Sequence, residues 1–285
     1  MDDVAMSRLR YEQDLRKGLD EGQFALFFQS VQTIRDGQPV GAEALLRWHH
    51  PTHGLIAPSD FLPYIENSAL MLKLSQWVLR ETCRIVGELQ DAEDIDGPEC
   101  ISINISPQQF EQADFVEQVR KTLEETGADP QRLQIEITET LLIRDDKAAI
   151  ERMRELRELG VRFALDDFGT GYSSLSDLRR LPIETLKIDR SLIEDIAIDP
   201  HDEAIVKAIL SMAAHIGLQV VAEGVETRAQ LALLRDAQCT FYQGFLGRPP
   251  VDAETFREEL AIRTRDAKLF QAQMPAEAPP PEDRL

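Results

Sequence analysis

Eight short runs rich in β-branched and other apolar residues recur along this chain, most of them separated by stretches with helical periodicity, and no other feature narrows its fold as far. The runs are Phe24 to Val31, Val40 to Trp48, Cys100 to Ser106, Leu133 to Thr138, Arg162 to Asp166, Thr185 to Asp189, Gln219 to Glu223 and Thr240 to Gly244. Helical patterns lie between them at Leu70 to Leu89, Phe115 to Thr126, Ala148 to Leu159 and Asp202 to Ile216. Strand and helix in alternation place the strands parallel in one sheet, because a parallel connection needs a crossover long enough to carry the chain back. Eight such units predict an α/β fold, a TIM-like (β/α)8 barrel, in preference to an open doubly wound sheet. No strand is followed by the glycine fingerprint of a dinucleotide fold or by a Gly-Lys-Ser/Thr phosphate loop. The first two runs are joined by Ile34-Arg35-Asp36-Gly37-Gln38, too short for a helix, so this junction reads as a hairpin and predicts one antiparallel strand near the N-terminus.

Strand periodicity assigns faces. Ile101, Ile103 and Ile105 share the side that packs under helices, which points Asn104 into the barrel; likewise Ile135 and Ile137 face out and Glu136 faces in. Glu43 shares a face with Arg47, Ala164 with Asp166, Lys187 with Asp189, Val221 with Glu223, and Phe241 with Gln243. Glu43, Asn104, Glu136, Asp166 and Glu223 therefore converge on one mouth, and chemistry in such barrels sits at the C-terminal face. Burying these acids without cations is costly, so an all-oxygen set of this kind calls for divalent metal. Asp166 and Asp167 are consecutive and would point to opposite faces of a regular strand. Gly169 and Gly171 imply that the strand ends there, which lets both carboxylates reach one cluster. A bridging Asp166 would hold two cations at roughly 3.5–4 Å, the spacing suited to in-line phosphoryl displacement. His49, His50 and His53 read as a loop rim, since a zinc site needs three or four fixed ligands and no Cys lies near. His201 and His215 receive no role.

At 285 residues the chain is long enough for one such barrel. A formal net charge of -20 argues against binding to DNA or RNA polymers, whose phosphates would meet repulsion over most of the surface. Cys83, Cys100 and Cys239 are odd in number and widely spaced, and read as buried thiols of a reducing compartment. No apolar run is long enough to span a bilayer, and Met1-Asp2-Asp3 lacks the features of a secretory signal, which makes the cytoplasm the expected location. The expected organisation is a linker-like helix over residues 1–19, a barrel domain over 20–270, and a disordered Pro-rich tail over 271–285.

The runs Glu43-Ala44-Leu45-Leu46-Arg47-Trp48, Asn104-Ile105-Ser106, Glu136-Ile137-Thr138-Glu139, Asp166-Asp167-Phe168-Gly169-Thr170-Gly171-Tyr172-Ser173-Ser174-Leu175, Lys187-Ile188-Asp189, Ala222-Glu223-Gly224-Val225-Glu226 and Gln243-Gly244-Phe245 resemble, in the same order, the motifs of the EAL phosphodiesterases that hydrolyse the bacterial second messenger cyclic di-GMP. The resemblance covers about residues 20 to 250. It implies that Glu43, Asn104, Glu136 and Asp166 hold a first Mg2+ or Mn2+, and Asp166 with Asp167 a second, with Glu223 completing the acidic shell; Ca2+ would inhibit. It implies that Lys187 orients the attacking water, that Glu139 anchors the loop from Asp167 to Ser174, and that Gln29, Arg47 and Gln243 contact substrate. Asp189 and Glu226 would support the site from behind. The implied product is linear pGpG. Family likeness also suggests a homodimer through the helix that carries Leu175, Leu178 and Leu181, and an upstream sensory or GGDEF-like module outside this chain, through which a parent protein could be membrane-tethered.

Some positions depart from the family's commoner pattern: Ser30, Ile65, Ala69, Phe245 and Gly247-Arg248, all outside the expected metal ligands. Two rivals follow from the same residues. One is a silent or partner-gated cyclic di-GMP receptor, which would be expected to lack metal ligands or Glu139. The other is a glycoside hydrolase, which also pairs carboxylates at a barrel mouth, but Trp 2 and Tyr 4 leave few platforms for sugar rings.

Overall fold

The hairpin near the N-terminus decides how this barrel closes. In the computed structural model, which describes residues 2–66, 68–92, 95, 97–139, 146–169 and 178–273, strand β1 (Phe24–Thr33) runs antiparallel to β2 (Pro39–His50), with Phe24 opposite Trp48 and Gln29 opposite Glu43. From β2 the sheet continues through parallel neighbours β4 (Cys100–Asn104), β5 (Leu133–Thr138), β6 (Arg162–Phe168), β7 (Thr185–Ile188), β8 (Gln219–Ala222) and β9 (Phe241–Tyr242). β9 then pairs with β1, again antiparallel, with Tyr242 opposite Gln32. The result is a closed eight-strand barrel in which β1 opposes both neighbours. A five-residue link leaves no room for a crossover helix, so the reversed strand follows from chain length. Two short strands, β3 (Gly54–Ile56) and β10 (Val251–Asp252), extend β2 and β1 outside the ring.

The described helices are α1 (Asp2–Asp20), α2 (Pro58–Ile65), α3 (Ala69–Asp91), α4 (Pro107–Phe110), α5 (Phe115–Thr126), α6 (Asp146–Glu158), α7 (Arg190–Glu194), α8 (Pro200–Ile216), α9 (Arg228–Asp236) and α10 (Ala253–Gln273). The long ones carry one apolar stripe each: α3 buries Leu70, Leu74, Val78, Leu79, Ile85, Val86 and Leu89, and α5 buries Phe115, Val119 and Leu123. These meet Ile101, Ile103, Leu133, Ile135 and Ile137 on the outer face of the strands. Polar side chains are thereby left for the barrel interior.

Several expected boundaries move, each for a local reason. β2 continues past Trp48 to His50 because the chain turns back into β3; Gly54 takes φ +72, and His50 Nδ1 accepts from the backbone N–H groups of Thr52 and His53 at 3.2 Å. β4 stops at Asn104 because Ser106 caps α4 and Pro107 follows at its first turn. β6 runs on to Phe168. α10 passes the expected 270/271 boundary, since Gln271, Ala272 and Gln273 favour helix and no proline intervenes. The remainder of the expected tail, 274–285, lies outside the described residues. The second half of α1 covers the barrel wall: Leu15 is 1% exposed and Tyr11 stacks on Tyr64 at 4.6 Å. No described helix is long and apolar enough to cross a membrane.

Candidate functional site

The carboxylates sit where the register places them. Asn104 is opposite Glu136 on β4 and β5, Thr138 is opposite Asp166 on β5 and β6, and Lys187 is opposite Val221 on β7 and β8. Glu223 follows β8 directly and Gln243 follows β9. Lys187, 2% exposed, gathers the cluster. Its Nζ lies 2.7 Å from Glu136 Oε2, 2.7 Å from Glu223 Oε1, 3.3 Å from Glu43 Oε2 and 3.5 Å from Asp166 Oδ1. Asn104 Nδ2 donates to Glu43 Oε1 at 2.6 Å, and Gln243 Nε2 donates to Glu43 Oε2 at 2.7 Å and to Gln29 Oε1 at 3.1 Å. Gln29 Nε2 in turn donates to the carbonyl of Arg248 at 3.0 Å.

The adjacent aspartates meet by a device that sequence reasoning placed one step late. β6 does not end at Asp166. Between Leu165 and Phe168 it has one residue more than β7, a bulge, and Asp167 takes φ +56. The left-handed turn swings Asp167 back to its neighbour's side, so Asp166, Asp167 and Glu223 each offer an oxygen within 4.8 Å of the others'. Asp is among the few non-glycine residues that tolerate this conformation. Glu139, buried just past β5, accepts from the backbone N–H of Gly169 at 3.4 Å and so holds the far side of the bulge. The rest of the expected loop, 170–174, and Leu175 of the expected dimer helix lie outside the described residues. Leu178 and Leu181 are buried within the chain.

Burial and crowding set the electrostatics. Glu136 is pushed well above the ordinary carboxylate range, first by burial and then by the charge of Glu43. Burial also pushes at Glu43, but Lys187 and the amides of Gln243 and Asn104 outweigh it and hold that carboxyl low. Glu223 rises to about 7, chiefly through burial, with Lys187 opposing and Asp166 adding. Asp167 rises through burial and then through Asp166 and Asp189. Lys187 is driven up by the four carboxylates against the effect of its burial. Among the described residues nothing donates a hydrogen bond to the buried Asp166 Oδ1, and its nearest cation is Lys187 Nζ at 3.5 Å. A buried carboxylate oxygen short of a hydrogen bond, amid mutually repelling acids, is what an oxygen-liganded divalent cation would satisfy.

Around this floor lies an open cavity of about 340 Å3 lined by, among others, Gln29, Arg47, Arg190, Gly224, Phe245 and Pro250. Arg47 is half-buried; its guanidinium donates to the carbonyl of Leu46 at 2.7 Å and lies 5.7 Å from the centre of the Phe27 ring. Phe245, at the rim, is 61% exposed. Asp189 is occupied in capping α7, accepting from Ser191 N–H at 3.0 Å, and its charge still reaches Asp167. Glu226 pairs with Arg190 at 3.1 Å. None of the histidines joins the acidic group found among the described residues.

Sequence reasoning missed Gln230. Its Oε1 accepts from Glu226 N–H at 2.9 Å and Thr227 N–H at 2.8 Å, while its Nε2 donates to the carbonyls of Ile193 at 3.1 Å and Glu194 at 3.0 Å. One buried amide thus ties the loop that carries Glu223 to the helix that follows Lys187. The spacing Thr227-x-x-Gln230 is a capping box and announced the start of α9. Nothing local announced the second half of the amide's bonding.

Barrel and mouth together define a class: a (β/α)8 barrel with one reversed strand and an all-oxygen acidic cluster at the C-terminal strand ends. The chain belongs to the EAL domain family, whose model matches residues 12–250. It is 41% identical over 257 residues to the bifunctional diguanylate cyclase/cyclic di-GMP phosphodiesterase MucR of Pseudomonas aeruginosa, covering 90% of this chain and 37% of MucR. An uncharacterized signaling protein of Caulobacter vibrioides is 42% identical over 257 residues, covering 90% of this chain and 31% of that protein. The chain spans about a third of the length of these curated relatives. Among solved structures, the MucR phosphodiesterase in complex with c-di-GMP superposes with TM-score 0.82 at 42% identity, over 86% of this chain and 99% of that one. The EAL domain of Mycobacterium smegmatis DcpA does so with TM-score 0.73 at 34% identity, over 84% and 98%.

Proposed function

We propose that this EAL domain is a metal-dependent phosphodiesterase that hydrolyses cyclic di-GMP to linear pGpG. One observation carries the reading: Glu43, Glu136, Asp166 and Glu223 crowd one mouth with Lys187 as their shared ammonium, and Asp167 joins Asp166 and Glu223 in one group of oxygens. Five carboxylates against one ammonium leave a deficit of four positive charges, which two divalent cations would supply. Glu43, Asn104, Glu136 and Asp166 would hold one Mg2+ or Mn2+, and Asp166, Asp167 and Glu223 would reach the other. When bound, such ions screen the phosphodiester and make water a usable nucleophile at neutral pH. Ca2+, with its looser and larger coordination shell, would bind without supporting turnover.

The chain's own groups supply the rest. Lys187 offers hydrogens to an incoming water and to charge that develops as the bond breaks. Arg47 offers a charge-assisted donor to a phosphate oxygen. Gln243, which donates to both Gln29 and Glu43, sets with Gln29 the wall on which substrate rests. Glu139 fixes the bulge through Gly169. That relatives of this chain carry c-di-GMP in the same fold supports the choice of substrate. We place the domain in the bacterial cytoplasm, acting as a homodimer and under an upstream sensory or GGDEF-like module.

Incubation with cyclic di-GMP and Mg2+ or Mn2+, followed by chromatography, tests the proposal. Release of pGpG that EDTA abolishes is expected. Binding of cyclic di-GMP with no product under either cation would overturn catalysis in favour of a receptor.

A further inference from the structure

Two arginines line the cavity over the acidic floor, and the chemistry above gives a task to only one of them. Arg47 lies on β2; Arg190 stands two residues beyond the end of β7. Going round the ring from β2 through β4, β5 and β6, the fourth step is β7. In a closed barrel of eight strands, four steps is the opposite wall. The two arginines therefore rise from facing walls of the barrel, the Arg47 head resting by Phe27 of β1 and the Arg190 head by Glu226 beyond β8.

Arg190 is held on a set course. Its stem lies across Gly224, where an added Cβ would stand 2.4 Å from Arg190 Cγ and where φ is +69. Gly224 follows Glu223 directly, so the stem runs over the floor beside a candidate metal ligand. The head pairs with Glu226 at 3.1 Å while the Arg190 side chain stays 55% exposed. A pair this exposed contributes little and is readily exchanged. Phosphate offers guanidinium a bidentate acceptor of its own, for which arginine is better suited than lysine.

A cyclic dinucleotide carries two phosphates on opposite sides of one ring. With one of them over the carboxylate cluster on the Arg47 side, the other is directed at the wall beyond β7. We infer that Arg190 is a second phosphate contact, the residue by which this mouth recognises both phosphates of a cyclic dinucleotide, with Glu226 presenting the guanidinium until substrate displaces it. The inference rests on the reading of cyclic di-GMP as ligand.

The test compares the parent with Arg190→Ala and with Arg190→Gln, which keeps most of the stem over Gly224. Affinity is measured by calorimetry in Ca2+ for cyclic di-GMP and for GpG, which has a single phosphate, and kcat and KM for cyclic di-GMP in Mg2+. Both variants should weaken cyclic di-GMP binding by about tenfold or more, raise KM to match, and leave kcat within about threefold. Affinity for GpG should stay within about twofold. An unchanged affinity for cyclic di-GMP, an equal loss for both ligands, or a loss confined to kcat overturns the assignment, the last by showing that Arg190 acts through the Glu223 loop. A parent that binds no cyclic di-GMP refutes the substrate reading itself, a result separate from any effect of the substitutions.

Discussion

An ammonium group has three hydrogens to give, and Lys187 stands within 3.5 Å of four carboxylates. Without divalent cations its charge is what makes their crowding tolerable, and Lys187→Ala should cost about 3–5 kcal/mol of stability in EDTA, the range for removing one partner of a buried ion pair. Saturating Mg2+ should recover most of that loss, because cations take over the neutralising role, while kcat stays depressed by about a hundredfold or more. Melting curves with and without Mg2+, beside circular dichroism and kcat, check all three; a variant that melts with the parent in EDTA contradicts the ammonium's structural role. Glu43, Glu136, Asp166 and Glu223 were legible singly from strand parity, and Lys187 from the family resemblance. Their mutual distances were not, nor was the turn of Asp167, because φ +56 belongs to a bulge and a bulge is defined by two strands at once.

At the scale of elements, agreement was best where one element answers to one period. α5 matches its apolar pattern at both ends, and so does β5, fully buried on its outer face. It was worst for β3 and β10, too short to show a period, and for α10, whose weak stripe suggested no helix. The join between the β7 and β8 loops belongs to the same group, since Gln230 bonds to Ile193 and Glu194 at sequence distances of 37 and 36. Gln230→Ala should remove this partner from the N–H groups of Glu226 and Thr227 and from the carbonyls of Ile193 and Glu194, and cost about 2–4 kcal/mol. A shift in the urea midpoint at unchanged slope would measure it. A midpoint equal to the parent's would mean that water replaces the amide.

At the scale of the whole molecule, the proposed cation binding would be coupled to folding, because the carboxylates come from strands spread over residues 43 to 223 and meet only in the closed barrel. Mg2+ or Mn2+ at about a hundred times its dissociation constant should stabilise the fold by about 2.7 kcal/mol per site. The melting temperature should rise with the cation, fall back with EDTA, and show no such rise in Glu136→Gln/Asp166→Asn; an equal rise in that double variant would place the ions elsewhere. By itself the sequence determined the alternation of strand and helix, the reversed strand at a link too short for a crossover, and the inward parity of Glu43, Asn104, Glu136, Asp166 and Glu223. These are properties of chain length and of a period of two, and both can be counted along one chain. Only the tertiary structure decided that Lys187 lies between the carboxylates, that a bulge brings Asp167 alongside Asp166, that Gln230 clamps two loops, and that Arg190 and Arg47 rise from facing walls of the barrel. Each is a relation between segments far apart in sequence, and closure of the ring creates it.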